Sequence, residues 1–166
     1  PDALDLVPGG RVGDQYSVVD VLGSGATGTV VAVDDLLAGM RFAIKVFAEG
    51  LAHEAAVNEF GQLLQVQHRH VVRVLDLFQV ADHTCLKMEL LLGPSLRALL
   101  DKEGRVPRAR IDEWLDGLLA ALEALHGSPD RPGIVHRDLK PENIVIGERG
   151  PVIVDFGLAS SGEDVL

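Results

Sequence analysis

Cysteine is almost absent from this chain, and a single thiol excludes an internal disulfide. Cys85 lies in the apolar run Thr84-Cys85-Leu86, which reads as a buried, inert thiol, and its solitude fits a reducing, cytoplasmic setting. Cations are also in deficit: 15 Lys and Arg stand against 25 Asp and Glu, a formal net charge of −10. That balance argues against a nucleic-acid backbone as partner and would welcome a basic peptide segment. No apolar run reaches the length of a membrane span, and no basic-then-apolar leader opens the chain. Internal repeats and low-complexity tracts are lacking, and Pro1 in place of Met points to a piece of a longer protein. Lysine is scarce beside arginine, four against eleven, so each lysine is worth locating. Two of them fall inside motifs.

The 166 residues, 47% apolar and 24% charged, suit one globular domain with a real core. Residues 1–14, with Val7-Pro8-Gly9-Gly10, read as a loosely held lead-in. Tyr16–Leu22, Thr29–Asp34 and Arg41–Phe47 are Val/Ile-rich strands broken by glycines. His53–Gln67 has helical spacing, and Val71–Val80 and Thr84–Leu90 return to strand. After Leu92-Gly93-Pro94 the pattern turns helical. A short helix, Ser95–Lys102, has Ser95 as its cap and Gly104 beyond its end. Pro107–His126 is the longest helix, with Ile111, Trp114, Leu115, Leu118, Leu119, Leu122 and Leu125 on a broad apolar face. Short strands follow at Ile134-Val135, Ile144–Ile146 and Val152–Val154. The expected organisation is an antiparallel-sheet lobe over 15–92 and a mainly helical part over 93–166, an α+β fold.

Four constellations carry chemistry. Gly23-Ser24-Gly25-Ala26-Thr27-Gly28-Thr29-Val30 joins two strands as GxGxxGxV, which is either a backbone cradle for a polyphosphate or a flexible hairpin turn. A strand follows the glycines where a dinucleotide fold would need a helix. Lys45 sits in Phe42-Ala43-Ile44-Lys45-Val46, an apolar strand in which a lone ammonium is costly unless it meets an anion or snorkels to water. His136 to Asn143 reads HRDLKPEN, and twelve residues after that Asn comes Asp155-Phe156-Gly157. Two carboxylates, an amide and a lysine are thus set on one strand-loop-strand turn, the set that phosphoryl transfer from a nucleotide requires.

These motifs, in this order, resemble the eukaryotic-type protein kinases, and Leu139-Lys140-Pro141-Glu142-Asn143 is similar to the serine/threonine branch. Gly13-Asp14-Gln15-Tyr16 and the Arg-rich composition look most like bacterial members. The resemblance implies a protein-kinase-like fold that uses ATP and Mg²⁺ to phosphorylate Ser/Thr hydroxyls of protein substrates. It implies that Lys45 holds the α- and β-phosphates, paired with Glu59 on the helix, with Glu54 as the competitor. Asp138 would orient the substrate hydroxyl, Lys140 would neutralise the γ-phosphate, and Asn143 and Asp155 would bind magnesium. Gly23, Ser24, Gly25, Ala26, Thr27 and Gly28 would cover the phosphates. Val30, Ala43 and Val145 would sandwich the adenine, with Met88 as gatekeeper, Glu89 and Leu91 as hinge, and Glu142 also at the nucleotide. Arg137 would receive an activation-loop phosphate, Gly157 would let the following segment swing, and His136 would pack with Phe156, Leu63 and Val74.

Two departures stand out. Lys45 and Glu59 are only fourteen residues apart, shorter than usual. His68-Arg69-His70 replaces the usual His-Pro-Asn. Two histidines two apart raise zinc, but no Cys or third His is near, so His68 reads as structural. No Ala-Pro-Glu motif follows Gly157. The expectation is therefore a nucleotide-binding chain with little transfer activity of its own, in which a partner or the rest of the lobe covers helix 107–126. A regulatory nucleotide-binding module is the alternative. A small-molecule phosphotransferase is disfavoured, since that group typically carries a His-Gly-Asp-type loop.

Overall fold

A computed structural model of the chain describes residues 3–49, 53–127, 133–136 and 138–155, apart from the side chains of residues 55, 58 and 59. It divides into two compact units, one formed by Pro1–Gly61 and Val74–Leu90, the other by Gln62–Arg73 and Leu91–Gly157. The break between Leu90 and Leu91 falls beside the expected boundary near residue 92, but residues 62–73 were expected in the first unit. Residues 62–73 group with the second unit because their backbone bonds to its β-hairpin.

The first unit is a six-stranded antiparallel sheet in the order β1-β2-β3-β4-β6-β5. Its strands are β1 (Arg11–Val12), β2 (Tyr16–Gly25), β3 (Gly28–Asp35), β4 (Met40–Phe47), β5 (Val74–Val80) and β6 (His83–Glu89). Val/Ile alternation explains them: Val31 pairs with Ile44 and Val33 with Phe42, which places four apolar side chains on one face. Val12, Tyr16, Val18, Val46, Val80 and Cys85 join them in one buried cluster, where burying a Val- or Ile-sized side chain is worth about 1.5–3 kcal/mol.

The lead-in is not loose. Leu4 bridges Val12, and Leu4 and Leu6 pack on the core cluster. Gly9 N–H donates to Val18 O at 2.9 Å, and Val18 N–H donates to Gly10 O at 3.0 Å. A sheet with two apolar faces needs a cover on each, and residues 4–12 cover this one.

Helix α1 (His53–Leu63) ends four residues before the expected Gln67. Gln65 and Val66 donate back to Gln62 and Leu63, a tightened last turn that closes the helix. The second unit contains α2 (Leu96–Glu103) and α3 (Arg108–His126). Ser95 caps α2, its side chain accepting from Ala98 N–H at 3.1 Å, and Gly104 ends it at φ 73°. Helix α3 buries Trp114, Gly117, Ala121 and Leu125. Ile111, Leu115 and Leu119, expected on the apolar face, are 44%, 52% and 55% exposed.

A hairpin of β7 (Ile144–Gly147) and β8 (Gly150–Ile153) follows, and Val71 adds a parallel bridge to Ile153. Ile134-Val135 is not a strand; Ile134 N–H instead bonds Leu125 O at 2.7 Å, tying the chain to the end of α3. Among the described residues, no helix is long and apolar enough to cross a membrane.

Candidate active site

The second unit gathers most of the polar site residues on one loop. His136 is buried; its Nε2–H donates to Val154 O at 3.0 Å, and its Nδ1 accepts from Asp138 N–H at 3.3 Å. These partners assign the tautomer, because a carbonyl only accepts and an N–H only donates. Burial lowers the pKa of His136, against smaller opposing effects from the Val154 bond and the Asp138 and Asp155 charges. A neutral imidazole thus braces the loop.

The Asp138 carboxylate lies at the surface. Lys140 Nζ meets its Oδ2 at 2.8 Å, and Asn143 Nδ2 donates to Asp138 O at 2.9 Å and to Oδ2 at 3.1 Å. The Lys140 bond comes first in lowering the Asp138 pKa, and the same bond raises that of Lys140. Both groups are therefore charged at neutral pH. Lys140 O and Asn143 N–H close the 3₁₀ turn Pro141–Asn143 at 2.9 Å, which buries Asn143 and leaves Glu142 exposed. Val154 N–H then bonds Asn143 O at 2.9 Å, linking the loop to the strand end that carries Asp155. Asp155 takes φ 54°, a left-handed conformation uncommon outside glycine and concentrated at functional sites.

In the first unit, register decides which residues share a face. Lys45 pairs with Val30 on β3 and Leu86 on β6, while Ala43 pairs with Met88. Directly opposite residues point the same way, and Ala43 and Lys45 are two apart, so Val30, Ala43, Lys45 and Met88 occupy one face. Lys45 is only 3% exposed, with Nζ 5.2 Å from the Phe47 ring centroid. The strands run on into the glycine segment: Gly23 pairs with Val30, Ser24 with Thr29 and Gly25 with Gly28, so Ala26-Thr27 forms the tip. Ser24 and Thr29 hydroxyls share a 2.9 Å bond across the hairpin. Gly28 has φ 137°, and a Cβ there would fall 2.1 Å from Val46 O, so only glycine lets β3 and β4 pair at this point. A Cβ on Gly23 or Gly25 would meet nothing within 4 Å, leaving open space over that backbone.

The structure thus brings Val30, Ala43, Lys45 and Met88 together in the first unit. It brings Asp138, Lys140, Glu142 and Asn143 together in the second, with Val145 and Asp155 on the elements beside that loop. Glu89 closes β6, and Leu91 opens the later segment of the second unit. The pairing assigned to Glu59, the role of Arg137, and Phe156 and Gly157 fall outside the described residues. Sequence reasoning weighed His70 only as a zinc partner for His68 and did not foresee that its ring sits against α3; a further signal was Gly117, a mid-helix glycine costing about 1 kcal/mol relative to alanine.

The protein kinase domain model matches residues 16–164. This chain belongs to the protein kinase family. The kinase chain is 38% identical to the serine/threonine-protein kinase pkn2 of Myxococcus xanthus, over 96% of its own length and 19% of that relative. It is 34% identical to PkaA of Streptomyces coelicolor, covering 89% of this chain and 30% of the relative. With serine/threonine-protein kinase H2 of Homo sapiens it shares 33% identity, over 92% and 40%. The kinase chain therefore spans well under half the length of these relatives. Among solved structures, Rad53 in complex with AMP-PNP superposes with a TM-score of 0.77 at 29% identity, over 87% of this chain and 38% of that one. The Mycobacterium tuberculosis PknI kinase domain shares the fold, with a TM-score of 0.76 at 24% identity over 95% and 64%.

Proposed function

We propose that the parent protein transfers the γ-phosphate of ATP to serine or threonine hydroxyls of protein substrates. The observation that carries this reading is the Asp138 carboxylate, held ionised by Lys140 and Asn143 on a loop braced by a neutral, buried His136. Asp138 orients the attacking hydroxyl and accepts its proton late, as the new oxygen–phosphorus bond forms and the bond to the β-phosphate breaks. Lys140 offsets charge on the γ-phosphate. Lys45, paired with Glu59, holds the α- and β-phosphates beneath the glycine hairpin Gly23–Gly28. Val30, Ala43 and Val145 sandwich the adenine, Met88, Glu89 and Leu91 border it, and Glu142 contributes to nucleotide binding.

The donor chemistry fits Mg²⁺. Asn143 commits its amide nitrogen to Asp138, leaving Oδ1, and Asp155 adds a carboxylate. Two protein oxygens suit a hard cation that keeps several waters. Asn143 and Asp155 would hold the ion, which would supply positive charge to offset that of the β- and γ-phosphates.

The 166-residue chain is proposed to bind nucleotide and transfer little by itself. In support, the Ile111, Leu115 and Leu119 stripe stands exposed, and further polypeptide of the parent protein is proposed to cover it. The test is phosphoserine and phosphothreonine formation by the parent protein. Asp138→Asn is expected to slow transfer about 10²- to 10⁴-fold, with nucleotide affinity kept. Undiminished transfer would overturn the assignment.

A further inference from the structure

Within the second unit, the half-buried His70 ring stands between α3 and the β7–β8 hairpin. Its Nδ1–H donates to Pro151 O at 2.6 Å. Across the ring, a Cβ on Gly117 would fall 2.7 Å from Nε2 and 2.9 Å from Cε1, while one on Gly150 would lie 3.6 Å from Cε1. The Pro151 bond restrains the ring from retreating, so a side chain at 117 must displace this imidazole or strain that bond. Glycine inside a helix is otherwise unfavourable, and the ring supplies a reason for it here.

The main chain of the same residue holds β8 as well. His70 O accepts from Ile153 N–H at 2.8 Å, and Val72 N–H donates to Ile153 O at 2.9 Å. His70 N–H in turn donates to His68 Nδ1 at 3.2 Å. The residues that follow Ile153 are those the catalytic loop depends on. Val154 accepts from His136 and donates to Asn143, and Asp155 comes next.

We propose that His70 is a positioning residue: a wedge between α3 and β8 that sets Val154 and Asp155 against the catalytic loop, and so sets the Asn143 and Asp155 oxygens for magnesium. The magnesium part rests on the reading of that pair given above. Gly117 is the other half of the device, since the wedge seats only where α3 carries no side chain.

Amide hydrogen exchange and nucleotide binding, measured on the full 166-residue chain, test it. Gly117→Ala is expected to speed exchange at Ile153 and Val154 at least tenfold, while the Gly104 amide that caps α2 keeps its rate. The double variant His70→Ala/Gly117→Ala is expected to match His70→Ala alone, because the clash needs both groups. With ADP as probe, Gly117→Ala and His70→Ala are expected to lose about tenfold of the affinity gained on adding Mg²⁺, with metal-free affinity unchanged within twofold. His70→Asn, which keeps a donor for Pro151 O, is expected to retain that gain. Unchanged exchange at Val154 in Gly117→Ala overturns the wedge. Equal losses with and without Mg²⁺ reduce His70 to packing. A wild-type chain with no magnesium-dependent gain contradicts the metal assignment, and the exchange rates then decide the wedge alone.

Discussion

Asp35 and Lys87 show how a residue-scale interaction is read from structure and not from pattern. Asp35 is 2% exposed, and its carboxylate meets Lys87 Nζ at 2.9 Å, Gln15 Nε2 at 3.0 Å and the backbone N–H groups of Leu37 and Ala38 at 3.0 Å. Lys87 also lies 3.9 Å from the Phe42 ring centroid. Burial alone would raise the Asp35 pKa, but Lys87, the two backbone donors and Gln15 together push it well below the ordinary carboxylate range. Lys87→Met strands that charge and is expected to cost about 3–5 kcal/mol in urea unfolding, with most of it regained when Asp35→Asn is added. The folded pKa is depressed, so the stability from this group is complete above the unfolded value of about 4 and fades as pH falls through the folded value. The urea midpoint of Asp35→Asn should therefore fall less between pH 5 and pH 3 than that of the wild type. An equal fall would contradict the pairing. In the sequence these two residues are 52 apart, and nothing local marks either as a partner.

At the scale of elements, periodicity and caps were legible wherever the cause is local. Ser95 and Gly104 announce both ends of α2, and the structure places a side-chain cap at one and a left-handed residue at the other. Ser95→Ala should lower stability by about 1 kcal/mol, with Ser95→Asp keeping it; equal loss in both variants would count against the cap. What was not legible depends on distant partners. The two-residue β1 is too short to carry a pattern, and it exists because β2 and the apolar face below it need a neighbour. Past the local turn that ends α1, the chain is tied to Ile153 through Val71 and Val72, far away in sequence. Along α3, apolar spacing located the helix. It did not distinguish Trp114 and Leu125, which are buried, from Leu115 and Leu119, which are exposed.

At the scale of the whole molecule, the candidate site is written in residue types and spacing, and the packing is not. Glycines 23, 25 and 28, Lys45, Asp138, Lys140, Asn143 and Asp155 are the residues proposed for the site, because phosphate and magnesium chemistry asks for particular side chains at particular spacings. The packing of the His70 ring against Gly117 and of segment 4–12 on the sheet answers only to shape, and many sequences satisfy shape. The net charge of −10 leaves the few buried or paired lysines conspicuous, and two of the four, Lys45 and Lys140, are assigned to phosphate. The most direct test is calorimetric titration of the folded 166-residue chain with ATP in the presence of Mg²⁺. The account predicts saturable one-to-one binding that Lys45→Met and Asp155→Asn each weaken at least tenfold; no saturable binding by the wild type, or binding unaltered in both variants, would contradict it.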